Sequence, residues 1–214
     1  MESARKIDPM NTIKYLTQDE LKRLLAVVTS RRDRAIFLVA YHHGLRLREA
    51  ANLKVEDVDL DRKRIWIVRL KGSRSGEYPM HEAEVRALKS WLWERKYNDN
   101  PYLFPSQQKR PISGRMLGYL MHLYGKQANL PEDKRHFHVF KHSIATHMLE
   151  AGADVSFVQN WLGHRDINST MVYAQITNRA RDEQASRLFA NPVIVNPYGH
   201  SNEIAPAIPA LCFR

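Results

Sequence analysis

The stretch that decides the fold begins His138-Val139-Phe140-Lys141-His142-Ser143-Ile144-Ala145-Thr146-His147-Met148-Leu149-Glu150. After Gly152 it resumes as Asp154-Val155, runs through Trp161-Leu162-Gly163-His164, and reaches Tyr173 nine residues beyond that histidine. Apolar spacing and breakers predict three short helices here: 138–150 ending near Gly152, 155–162 capped by Asp154 and stopped by Gly163, and 168–176. A further helix is expected over 179–190. The tail from Asn191 holds four of the ten prolines and reads as irregular.

Upstream, Thr17-Gln18-Asp19-Glu20 has the form of a capping box, in which a hydroxyl caps a helix start and a glutamate reaches back. The helix it opens runs to about residue 29, with Leu21, Leu24, Leu25 and Val28 on one face. A second helix over 32–43 stops at Gly44, and a short one covers 48–53. Residues 64–70 are β-branched and aromatic, 71–76 carry two glycines, and 77–80 suit a returning strand. Helices follow over 81–97, with Val85, Leu88, Trp91 and Leu92, and over 113–126, separated by a loop at 98–112 and followed by a charged connection at 131–135. The expected fold is mainly α with a small antiparallel β-sheet, either a hairpin or three strands. Residues 1–16 read as a flexible lead, 17–190 as one domain and 191–214 as an irregular tail. Trp66, Trp91, Trp93 and Trp161 are expected to be packing residues, with Trp161 supporting the turn at His164.

The 214 residues carry 33 Lys and Arg against 23 Asp and Glu, a net charge of +10. Such a balance favours a polyanionic partner, because each neutralised phosphate releases condensed counterions. The single cysteine, Cys212, excludes a disulfide framework or a cysteine-based zinc site within one chain. The polar N-terminus is unlike a signal peptide, and no apolar run approaches the roughly 20 residues that cross a bilayer. An intracellular, cytoplasmic protein without a membrane partner is expected. His138, His142 and His147 lack the glutamate of an H-E-x-x-H site, so no metal is expected. His136 and His147 read as structural or solvent-facing.

His43-Gly44-Leu45-Arg46-Leu47-Arg48-Glu49-Ala50, then His138 to Leu149, then Leu162-Gly163-His164 with Tyr173, occur in an order that resembles the tyrosine recombinase, or phage integrase, family. The likeness runs from about Thr17 to Ile176. It implies the family's catalytic-domain fold and site-specific cutting and rejoining of duplex DNA through a 3′-phosphotyrosyl bond. By position, Arg46 matches the arginine that grips the scissile phosphate. Lys71, in the hairpin turn and with Arg69 and Arg74 as rivals, matches the lysine that protonates the leaving 5′ oxygen. His138 opens the H-x-x-R motif, His164 matches the second histidine, and Tyr173 matches the nucleophile. The resemblance also implies double-stranded DNA and a synaptic tetramer of like subunits as partners, with 179–190 docking on a neighbour. It implies neither cofactor nor small-molecule substrate, since the covalent bond stores the phosphodiester energy.

These residue types suit that chemistry. A phenol ionises at about pH 10 and must lose its proton as it attacks, which a histidine can accept. Charge gathering on the phosphate suits guanidinium groups, which stay cationic and donate as a fork. One position departs from the pattern, for Lys141 stands where the motif has arginine, keeping the charge and losing the fork. The sequence leaves open whether that lysine belongs to a natural variant group or is a substitution. Adjacent His142 reads as a poor replacement, since neighbours on a helix point about 100° apart. Larger members carry an N-terminal helical domain, and only sixteen residues precede the capping box here. The chain is therefore similar to the short recombinases of fimbrial phase variation, with a piece of a longer integrase as the alternative. Two other functions stay open: a DNA-binding relative weakened by Lys141, and a relaxing enzyme like the type IB topoisomerases.

Overall fold

The computed structural model describes residues 13–95, 99–174 and 186. The order of elements is α1 (Gln18–Val27), α2 (Arg31–His42), α3 (Leu47–Ala51), β1 (Val58–Asp59), β2 (Arg64–Ile67), β3 (Gly76–Pro79), α4 (Glu82–Arg95), α5 (Gly114–Gln127), α6 (Val139–Glu150), α7 (Val155–Trp161) and α8 (Asn168–Ala174). This is the expected mainly α architecture with one small antiparallel sheet. The expected helix over 179–190 and the tail from 191 lie outside the described residues, apart from Ser186.

Local chemistry explains the starts and stops. Thr17 accepts from the Glu20 amide while Glu20 accepts from the Thr17 amide, completing the capping box of α1. Ser30, Ser113 and Asp154 cap α2, α5 and α7 with their side-chain oxygens. The residues just before α1 are less free than a lead-in implies. Leu16 is wholly buried and its amide donates to Ser143 Oγ at 2.8 Å, so at least Leu16 belongs to the core rather than to a flexible lead.

The core forms around α2, which buries Ala35 through Tyr41 almost without interruption and packs against α4 and α6. A helix apolar on nearly every side has to be covered all round. The sheet runs β1-β2-β3, with Ile65 opposite Val58 on one side and Tyr78 on the other. Ile65 and Ile67 point inward, whereas Trp66 between them is 48% exposed, as strand alternation requires. Trp66, and Trp93 at 76% exposure, therefore depart from the packing role expected of the tryptophans. Trp91 is buried, with its indole N–H donating to the Leu103 carbonyl.

Candidate active site

Two glycines bring remote segments together. Gly44 follows α2 with φ +56°, the left-handed conformation glycine adopts without penalty. A Cβ there would sit 2.5 Å from Leu162, so the turn after α2 lies hard against the turn after α7. Gly163, at φ +68°, faces Arg74 in the turn between β2 and β3, whose amide donates to the Gly163 carbonyl at 2.9 Å. Trp161 braces this junction, stacking on His43 and donating from its indole to the His42 carbonyl.

Arg46 emerges from the first of these turns. Its guanidinium donates to Glu49 at 2.8 Å and to Ser73 Oγ at 3.0 Å, which ties it to the β2–β3 turn. Glu49 is buried and acts as a hub, accepting also from the Arg46 amide, the Leu70 amide and Arg69. Those four donors overcome the cost of burial and hold its carboxyl below the usual range. Arg69 is buried too, and its guanidinium donates to Glu49 and to the carbonyls of His43, Gly44 and Trp161. These partners make Arg69 a strut of the fold. Lys71 stands exposed on the turn at φ +55°, followed by Gly72 at φ +74°. Two successive left-handed residues shape this turn, and the lysine on it faces solvent.

Lys141, in the first turn of α6, is 2% exposed, and its Nζ has no hydrogen-bond partner among the described residues. Burial, with Arg46 and Arg69 nearby, pushes its amine down to about 7. His164 is buried with Nδ1 paired to Thr170 Oγ1 at 2.8 Å. Burial and the cations Lys141 and Arg46 push it down to about 4, which leaves the ring neutral at pH 7. Tyr173, on α8, is 3% exposed, and burial pushes its phenol up to about 12 against the pull of Arg46. His138 lies at the exposed N-terminal end of α6, its ring edge-on to His142.

Arg46, His138, Lys141, His164 and Tyr173 are thus one electrostatic group, with Lys71 on the adjoining turn. The buried Lys141 amine, which no described carboxylate meets, beside the half-buried Arg46 guanidinium makes a hole suited to an anion, above all to a phosphate. Among the described residues, no three His, Cys, Asp or Glu side chains are placed to share a metal ion.

Sequence reasoning gave Glu49 and Thr170 no role, weighed Arg69 only as a rival to Lys71, and set His142 aside. Glu49 carried a signal, because it sits three residues after Arg46, the spacing at which a glutamate closes onto a helix start. Thr170 carried none, and nothing in the sequence marked Arg69 for its buried role as a strut. His142 was set aside as a stand-in for the missing arginine, yet its Nδ1 lies 3.0 Å from the Tyr173 hydroxyl. The four-residue step from His138 places both rings on one face of α6, and that step was the available signal.

The model of the phage integrase family matches residues 14–179. The tyrosine recombinase XerA of Thermococcus kodakarensis is 36% identical over 174 residues, covering 79% of this chain and 60% of XerA. The type 1 fimbriae regulatory protein FimB of Escherichia coli K12 is 31% identical over 185 residues, covering 79% of this chain and 92% of FimB. Among solved structures, the XerH site-specific recombinase bound to its palindromic difH substrate, a post-cleavage complex, superposes with a TM-score of 0.71 at 25% identity, over 85% of this chain and 55% of XerH. The chain spans about 60% of the length of the XerA relatives it matches.

Proposed function

Because the chain belongs to the phage integrase family, we propose that it cuts and rejoins duplex DNA at specific sites through a phosphotyrosyl bond to Tyr173. The observation that carries this reading is the partnerless, buried amine of Lys141 in one electrostatic group with Arg46 and a buried tyrosine. A buried charge without a partner is costly, and a phosphate is the group that would complete it.

In this reading Arg46 and Lys141 hold the non-bridging oxygens of the scissile phosphate. His164, neutral and fixed by Thr170, donates one further hydrogen bond as charge develops. Glu49 keeps Arg46 extended toward the phosphate and joins it to the β2–β3 turn through Leu70. Tyr173 Oη attacks phosphorus, the bond to the 5′ oxygen breaks, and Lys71 brings that oxygen its proton from the exposed turn. Resealing reverses the steps, and the covalent bond conserves the phosphodiester energy, so no cofactor is needed.

The partner is double-stranded DNA, a role supported by the net charge of +10. Strand exchange between two duplexes joins four copies of the chain in a synaptic tetramer. No described helix is long and apolar enough to cross a membrane, and the protein works where the DNA lies, in the cytoplasm and nucleoid.

The test is covalent trapping on a nicked duplex whose cleaved fragment diffuses away. The parent protein forms a denaturation-resistant adduct, and Tyr173→Phe forms none while binding DNA with nearly unchanged affinity. An adduct of undiminished yield with Tyr173→Phe overturns the assignment. DNA binding by the parent without any adduct supports the reading in which Lys141 leaves only a binding module.

A further inference from the structure

Attack by Tyr173 requires that its proton go somewhere, and among the described residues the site holds His138, His142 and His164. His164 has its Nδ1 committed to Thr170. His138 lies at the exposed entrance, with its ring edge against His142 at 4.7 Å between centroids. His142 alone among the three has a described hydrogen bond to the phenol, from Nδ1 to Tyr173 Oη at 3.0 Å. Resting on the nucleophile reading above, we propose that His142 is a catalytic residue, the general base that takes the Tyr173 proton on Nδ1 as the phenol attacks.

Several observations support the assignment. Tyr173 is 3% exposed, so bulk water has little access to its hydroxyl and the proton needs a protein acceptor. His142 is half-buried near the N-terminal end of α6, one residue after Lys141, with its ring seated between His138 and Tyr173. A base held within hydrogen-bond reach by packed rings meets the geometric requirement for proton transfer. Burial, then the neighbours His138, His136 and Lys141, push His142 down to about 4, so the ring is neutral at pH 7 and has a lone pair to offer.

The same values keep the resting site inert. With Tyr173 held at about 12 and His142 at about 4, the proton stays on oxygen until DNA arrives. A phosphate seated on Lys141 and Arg46 offsets the cationic field that disfavours a charged imidazole. Proton transfer then accompanies attack. The step balances. The Tyr173 O–H proton moves to His142 Nδ1, the phenolate oxygen bonds to phosphorus, and the P–O5′ bond breaks with a proton from Lys71. On resealing, O5′ returns its proton to Lys71, and His142 Nδ1–H reprotonates the departing Tyr173. His138 then acts beside His142, its edge-on ring limiting how far the imidazole turns.

The experiment is single-turnover cleavage of the nicked duplex at saturating protein, with the parent, His142→Gln and His142→Ala. Glutamine keeps a hydrogen-bonding group in place and cannot accept the proton. Both variants should bind DNA and lose on the order of 10²–10⁴ in rate, the usual worth of a positioned base. Two readouts separate a base from a prop. Added imidazole should restore cleavage by His142→Ala in proportion to its free-base concentration. A duplex with sulfur at the bridging 5′ position, which leaves without a proton, should rescue Lys71→Ala and not His142→Ala. His142→Gln cleaving at the parental rate overturns the proposal, as does rescue of His142→Ala by the sulfur duplex. Failure of the parent to form an adduct, or an adduct surviving in Tyr173→Phe, overturns the nucleophile reading and the proposal with it. Loss confined to the His142 variants, with Tyr173 still the attachment site, is the result expected.

Discussion

Arg69 and Lys141 are both cationic, both buried, and both act on the same site, yet their surroundings are opposite. Arg69 donates to one carboxylate and three backbone carbonyls, and so ties α2, α7 and the β2–β3 turn together. Lys141 is 2% exposed and its amine donates to nothing among the described residues. The contrast separates architecture from function. A buried charge satisfied by the fold holds the fold, whereas one left without a partner is waiting for a ligand.

The contrast can be broken most severely at Arg69. Arg69→Leu removes one of the four donors to buried Glu49 and strands three carbonyls, and breaking a buried pair typically costs about 3–5 kcal/mol. Urea denaturation should show a loss of that size, and a loss under about 1 kcal/mol would remove the distinction between the two residues. Lys141→Leu should do the reverse, leaving the fold as stable or more stable by about 1–4 kcal/mol while cleavage falls.

The sign of the Lys141 effect depends on pH. Its amine titrates near 7 in the fold and near 10.4 in an unfolded chain. Between those values the unfolded chain holds the extra proton, so parental stability rises with pH across that window. The cost of burying the ammonium is therefore fully present below about pH 7 and relieved by about pH 10. The advantage of Lys141→Leu over the parent should be larger at pH 6 than at pH 9.5, and equal advantages at both would contradict the assignment.

A smaller change sharpens the comparison. Lys141→Arg restores the fork that suits charge developing in the transition state, so single-turnover cleavage should rise on the order of tenfold with little change in affinity. A slower Lys141→Arg protein would mean that the hole has been shaped around lysine and does not admit the planar head. Equal rates would mean that this position contributes charge alone.

Much of this was legible in the sequence because it was local. The capping box at Thr17, the left-handed stops at Gly44 and Gly163, and the lysine in place of a motif arginine are all set within a few residues. What escaped depends on side chains meeting across long separations. Nothing near Arg69 announces that it will be buried, because its partners come from α2, α3 and α7. Leu16 became core through Ser143, far along the chain. His142 was judged against its neighbour Lys141, where the 100° turn of the helix correctly separates them. The telling relation was to His138 four residues back and to Tyr173 on another helix.

The central claim, that Tyr173 is the atom donor to phosphorus in a hole prepared by Arg46 and Lys141, is most directly tested by locating the covalent bond. The trapped adduct is digested with nuclease and protease, and the peptide carrying the residual nucleotide is sequenced by mass spectrometry. The account predicts a nucleotide phosphate on Tyr173 and on no other tyrosine. A modified Tyr41, Tyr124 or any residue outside the peptide spanning Tyr173 would contradict it.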